Sequence, residues 1–176
     1  MADARPIIVT ATLPPELAAV ANRLRRAHFP PDRNYLDAHL TLFHAIPPSC
    51  GDELRRLLAE LAANEGPVPG EVVGVMSLGR GTAIRLESPE LLDLRDRIAD
   101  RFAGCLTAQD DHRPRLHVTV QNKITSQEAR DLQAQLGAQI MPGPIRFPAL
   151  EMYFYDGGPW EVAGKWPFRG KGRNRH

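Results

Sequence analysis

One tetrapeptide occurs twice in this chain. His39-Leu40-Thr41-Leu42 and His117-Val118-Thr119-Val120 share the form His-apolar-Thr-apolar and lie 78 positions apart. Each sits in an apolar–polar alternation of the kind that makes a half-buried strand. In a strand, residues i and i+2 point to the same face. Each motif is therefore expected to set one imidazole and one hydroxyl side by side on one face. Two such pairs facing each other would supply two proton-transfer groups and two neutral hydrogen-bond donors, a set suited to chemistry on a phosphate.

The surroundings of the two motifs repeat as well. Pro6–Leu13 reads as a strand, and Pro14-Pro15-Glu16 opens a helix whose apolar stripe, Leu17, Val20, Ala21 and Leu24, runs to about His28. Proline suits a first helical turn, and an early glutamate suits the helix dipole. The first motif strand spans Ala38–Ile46, and a helix over about Gly51–Ala63 follows. Glu71–Leu78 and Thr82–Leu86 read as strands joined by the glycine-rich turn Gly79-Arg80-Gly81. Ser88 as N-cap and Pro89 at the first position then start a helix striped by Leu91, Leu94, Ile98 and Phe102. The second motif strand covers Leu116–Ile124, a helix runs from Thr125 to about Gln139, and strands occupy Ile145–Tyr155 and Trp160–Phe168. The fold class is α+β: two lobes of mainly antiparallel sheet, each flanked by helices and each carrying one motif. Residues 1–169 form a single bilobal domain on this reading, and the basic tail from Gly170 to His176 is expected to be disordered.

Composition excludes several function classes. A chain of 176 residues, 43% hydrophobic and 24% charged, is that of an ordinary globular protein with a real core. The net charge of +1 provides no global basic field for nucleic acid, so an RNA substrate must be small or gripped locally. No segment is apolar over a length that could span a bilayer, and no signal-peptide pattern opens the chain. Cys50 and Cys105 lack metal-ligand spacing, which favours reduced thiols and a cytoplasmic location. With no metal-spaced cluster, neither a metal nor a cofactor is expected.

The paired His-x-Thr-x motifs resemble those of the two-histidine (2H) phosphoesterase superfamily, in particular its bacterial 2′-5′ RNA ligase and cyclic phosphodiesterase branch. The resemblance covers roughly residues 6–168. It implies a pseudo-two-fold molecule with an active-site cleft between concave sheets. His39 and His117 would be the catalytic acid–base pair, and Thr41 and Thr119 would bind non-bridging phosphate oxygens. The implied partner is an RNA end or small nucleotide bearing a 2′,3′-cyclic or 2′-5′ phosphate, handled by a metal-independent monomer. A non-catalytic nucleotide-binding module is the alternative, although such a module has no need of both histidines.

Secondary candidates surround this core. Lys123, six residues beyond His117, shares its face if the strand stays regular, and Arg85, Arg80 and Arg115 are further cations; each is otherwise an ordinary solvated charge. Many relatives carry a basic residue a few positions past the second motif, where this chain has Gln121-Asn122-Lys123. Phe43, Tyr153, Tyr155 and Trp160 offer stacking surfaces for a base, or pack in the core. His44, five residues from His39, is expected on the opposite face and without a role, as are His28, His112 and His176.

Overall fold

The computed structural model describes residues 3–171. Eight strands and four helices occur among them, in the order β1 (Ile7–Ala11), α1 (Pro15–His28), β2 (Leu40–Ile46), α2 (Gly51–Asn64), β3 (Val68–Ser77), β4 (Thr82–Glu87), α3 (Pro89–Arg101), β5 (His117–Gln121), α4 (Ser126–Leu136), β6 (Gly143–Phe147), β7 (Ala149–Phe154) and β8 (Glu161–Pro167). The helices begin where local chemistry prepares them. Pro15 and Glu16 occupy the first turn of α1. Ser88 Oγ accepts from the Leu91 N–H at 3.0 Å to cap α3. Thr125 and Glu128 form a reciprocal capping box on α4.

The strands form two four-stranded sheets, ordered β2-β1-β7-β8 and β5-β4-β3-β6, with every pairing antiparallel. The α+β architecture of two antiparallel sheets and flanking helices is thus the one expected. The partition of strands follows no simple cut of the chain. The β3–β4 hairpin belongs wholly to the sheet of the second motif, and β7 and β8 return to complete the sheet of the first. Gly79, at φ +80°, supplies the left-handed residue of the β3–β4 turn. In both sheets the motif strand is an edge, and these two edges, β2 and β5, lie against each other.

A single apolar cluster runs through both sheets and all four helices, from Ile7 and Val9 on β1 through Leu54 and Leu58 on α2 to Ile98 on α3 and Leu132 on α4. One helix reaches across as well: α1, the crossover between β1 and β2, packs on β5 of the other sheet, while α2, which follows β2, packs on β7 and β8 of the same sheet as β2.

Several boundaries shift from the sequence reading. β2 begins at Leu40, so His39 stands just before the strand, and β5 ends at Gln121, well before Ile124. The helix expected to reach Gln139 stops at Leu136. Pro148 divides the 145–155 region into β6 and β7. Gly170, assigned to the tail, donates its N–H to Glu65 O at 3.0 Å; residues 172–176 lie outside the described residues. No helix among the described residues is long and apolar enough to cross a membrane.

Candidate active site

Both motif histidines are held in the same way. His39 Nδ1 lies 2.7 Å from the Asp37 carbonyl, and His117 Nδ1 lies 2.7 Å from the Arg115 carbonyl, in each case two residues upstream. A carbonyl only accepts, so each Nδ1 carries a proton and each Nε2 is left outside that contact, free to accept a proton or to hold one. Burial drives the His39 pKa down to about 4; the Asp37 carbonyl opposes this, while the charges of Arg25, His117 and His44 add to it. His117 acts on His39 because β2 and β5 lie against each other.

Each motif strand also carries a bulge at its fourth motif residue. Along β1 and β2, Thr10 pairs with Thr41 and Val9 with Phe43, so Leu42 is the extra residue. Along β4 and β5, Ala83 pairs with Thr119 and Thr82 with Gln121, so Val120 is the extra residue. A bulge of this kind resets the alternation by one position. Leu42 and Phe43 both turn into the core, as do Val120 and Gln121, while Thr41 and Thr119 stay half-exposed on the face of the histidines.

Two buried arginines brace these bulged strands from the opposite half of the molecule. Arg25 of α1 donates from Nη1 to Thr119 O at 2.8 Å and lies over the Phe29 ring at 4.2 Å. Arg95 of α3 donates from Nε to Leu42 O at 3.0 Å and from Nη2 to Asp110 O, and lies over the Phe43 ring at 4.4 Å. Burial lowers the pKa of both guanidiniums from the ordinary value. The Asp110 carboxylate, also buried, accepts the backbone N–H groups of His44 and Ala45 at 2.8 Å each and meets His44 Nδ1 at 3.2 Å. Burial alone would raise the Asp110 pKa, but the hydrogen bonds donated by His44 and Ala45 hold it below the ordinary value. The sequence reading passed over Arg25 and Arg95, and it takes Asp110, with Asp111 and His112, as part of a solvated polar turn; Asp110 is instead 1% exposed. A signal existed for the arginines: each falls on the apolar stripe of its helix, four residues after Ala21 and Leu91 respectively.

The remaining candidates divide. Arg85 pairs directly across from His117 and is half-exposed, with its guanidinium 3.1 Å from Glu87 Oε1. Lys123 is exposed at φ 56°, two residues beyond the end of β5, so the regular alternation that would align it with His117 is absent. Phe43 is corrected: it is 0% exposed beneath Arg95 and has no face to offer a base, because the bulge at Leu42 turned it inward. His44 is corrected for the same reason. The bulge returns it to the side of Thr41, where it is exposed and contributes to the field at His39. Tyr153 is half-buried and stands beside Trp160, whose ring centroid lies 4.4 Å from that of His39. Arg80 donates to Ile124 O at 2.9 Å in the turn region. A cavity of about 950 Å³, lined by Pro14, Pro69 and Pro144 among others, contains no motif residue.

Residues 13–159 match the sequence profile of the 2′-5′ RNA ligase superfamily. The chain belongs to this family. No curated protein is similar enough in sequence to count as a relative. Among solved structures, the chain is similar to TT0787 of Thermus thermophilus, at 14% identity and a TM-score of 0.63, over 94% of this chain and 99% of that one. It is likewise similar to Escherichia coli LigT complexed with 3′-AMP, at 16% identity and a TM-score of 0.60, over 94% and 99% of the two chains. LigT complexed with NADP+ matches at 16% identity and a TM-score of 0.58, over 94% and 98%. At these identities the likeness is one of fold. Membership of the superfamily supports an enzyme acting on phosphoesters.

Proposed function

We propose that this protein is a phosphoesterase that hydrolyses or transesterifies 2′,3′-cyclic or 2′-5′ phosphodiester bonds of RNA ends or nucleotides. The observation that carries the reading is the matched setting of the two imidazoles, each fixed through Nδ1 to a carbonyl so that Nε2 is free. One free Nε2 can take a proton while the other gives one, and phosphodiester cleavage needs both events.

His39, kept neutral by burial, serves as the base in hydrolysis. Its Nε2 removes a proton from water as the water oxygen bonds to phosphorus. The bond from phosphorus to the departing ribose oxygen breaks, and that oxygen takes a proton from Nε2 of protonated His117. A ribose hydroxyl in place of water gives transesterification. The Thr41 and Thr119 hydroxyls donate to the non-bridging oxygens as charge builds there, and Arg85, beside His117, adds a cation. These groups meet the proton and charge requirements of the step, so the reaction is proposed to run without a metal. The 3′-AMP bound by LigT supports a nucleotide or RNA end as partner. The free thiols of Cys50 and Cys105 suit a cytoplasmic protein, and we take it to act as a monomer.

Turnover of a 2′,3′-cyclic mononucleotide, with identification of the product isomer, tests the proposal. The wild type is expected to open the ring to a single monophosphate, with His39→Ala and His117→Ala each slower by about 10²–10⁴. Tight binding without turnover by the wild type would instead favour a binding module.

A further inference from the structure

A cavity of about 280 Å³ opens beside His39 on the first sheet. Its charged lining residues are Asp37 and Glu151, and neither lysine nor arginine lines it. Its wall is aromatic: Trp160 packs against the His39 ring at a tilt of 52°, and the Tyr153 centroid lies 5.4 Å from that of Trp160. Its rim is unusually apolar for a surface. Tyr35 and Val162, which line it, are 59% and 65% exposed and, with Met141, are the large apolar side chains left most open among the described residues. Exposed apolar groups around an aromatic concavity mark a place that a ligand covers.

The charge says which part of a ligand. Two carboxylates without a lining cation repel a phosphate, but they accept hydrogen bonds from N–H groups on a flat ring. Glu151 is suited to this. Its Oε2 accepts the Thr12 hydroxyl at 3.0 Å, and Lys165 Nζ stands 4.0 Å from Oε1, so the carboxylate is fixed while still open to the cavity. Burial, followed by the Glu151 charge, pushes the neighbouring Tyr153 phenol up to about 12, so it remains a neutral partner for stacking.

We propose that this cavity seats the nucleobase of the substrate and that Glu151 makes it selective for guanine. The inference rests on the phosphoesterase reading above and adds the base to it. An ionised carboxylate offers two acceptor oxygens and no donor. Among the four RNA bases, guanine alone presents two adjacent donors, N1–H and the 2-amino group, spaced for those two oxygens. Adenine and cytosine present one amino group beside a ring nitrogen whose lone pair the carboxylate repels. Uracil presents one N–H between two carbonyls. The ring itself lies against Trp160 and Tyr153, with Tyr35 at the open side.

The test is equilibrium binding of 3′-GMP, 3′-IMP, 3′-AMP, 3′-CMP and 3′-UMP to the full chain by calorimetry, alongside turnover of the matching 2′,3′-cyclic nucleotides. The wild type is expected to bind 3′-GMP at least about tenfold tighter than 3′-UMP, the usual scale of a bidentate base contact. 3′-IMP, which lacks only the 2-amino group, should fall between them. Glu151→Gln should lose the preference for GMP, its affinities for GMP and UMP drawing together, and Tyr35→Ala should weaken all five in parallel with the order kept. The GMP–IMP comparison needs no variant, so a folding defect in Glu151→Gln would not remove the test. Equal binding of the nucleotides, no binding of any, or a guanine preference that survives in folded Glu151→Gln would overturn the proposal. Guanine-selective binding without turnover would uphold it and refute the phosphoesterase reading; turnover without base preference would do the reverse.

Discussion

His39 is an ionisable group that the fold keeps uncharged. Its pKa falls from 6.5 to about 4 because burial disfavours the imidazolium, and the consequence for pH has a definite sign. Between about 6.5 and 4 the unfolded chain takes up a proton at this position that the folded protein refuses, so folding stability drops as pH falls through that window. Denaturant titrations at about pH 7 and about pH 4.5 should therefore show a larger loss for the wild type than for His39→Gln, which cannot take the proton; equal losses would contradict the burial argument. As the proposed base, His39 is expected to set the acidic limb of hydrolysis near the same value, with the full profile belonging to the histidine pair. Activity is also expected to survive a chelator such as EDTA, since the proposed step uses only Thr41, Thr119, Arg85 and the two imidazoles; loss with chelator and return with a divalent ion would refute a metal-free route. At this scale the sequence was informative about the repeated residues and silent about the bulges. An imidazole and a hydroxyl at i and i+2 can be read from spacing alone. That Leu42 interrupts the alternation cannot, which is why spacing puts Phe43 and His44 each on the wrong face.

The bulges and their braces are features of elements. In each motif strand a main-chain carbonyl turned out of the ladder is met by a guanidinium from a helix of the other half, Arg25 for Thr119 and Arg95 for Leu42. A buried arginine is costly to desolvate, and its hydrogen bonds to carbonyls and its aromatic stacking offset that cost. Arg95→Ala leaves the carbonyls of Leu42 and Asp110 without their donor and opens a hole against Phe43. We expect a loss of about 2–4 kcal/mol in unfolding free energy, in line with removal of charge-assisted hydrogen bonds and packing. Arg95→Lys should recover little of it, since one ammonium cannot serve both carbonyls and lie flat on the ring. Urea denaturation measures both; a loss under roughly 0.5 kcal/mol, the surface-substitution range, would mean that the brace does not hold the strand. The helices themselves were legible because their caps are local: Ser88 with Pro89, and Thr125 with Glu128, each make the contact their residue types imply. The strand ends were less so, since β5 stops at Gln121 through pairing with Thr82, a partner 39 residues away.

The whole molecule is held together by exchange between its halves. The β3–β4 hairpin sits with the second motif, β7 and β8 sit with the first, and α1 packs across onto β5. One apolar cluster joins both sheets, so neither can expose its core without the other. Thermal or urea unfolding should accordingly be a single transition, with fluorescence and far-ultraviolet circular dichroism coinciding; two separated transitions would contradict this. The near-repeat of element order and the α+β class could be read from the chain, because periodicity and turns are local. The assignment of hairpins to sheets could not, because it depends on which edges meet across long separations. What that topology achieves is the meeting of β2 and β5, which puts His39 within the field of His117. The central claim is that these two imidazoles work as one unit on one phosphate, and a kinetic cycle on a 2′,3′-cyclic nucleotide tests it most directly. His39→Ala and His117→Ala should each lower kcat by about 10²–10⁴ with smaller changes in KM, and the double variant should fall little further than the worse of the two. Near-native turnover by either single variant, or a double variant whose loss equals the product of the singles, would contradict it.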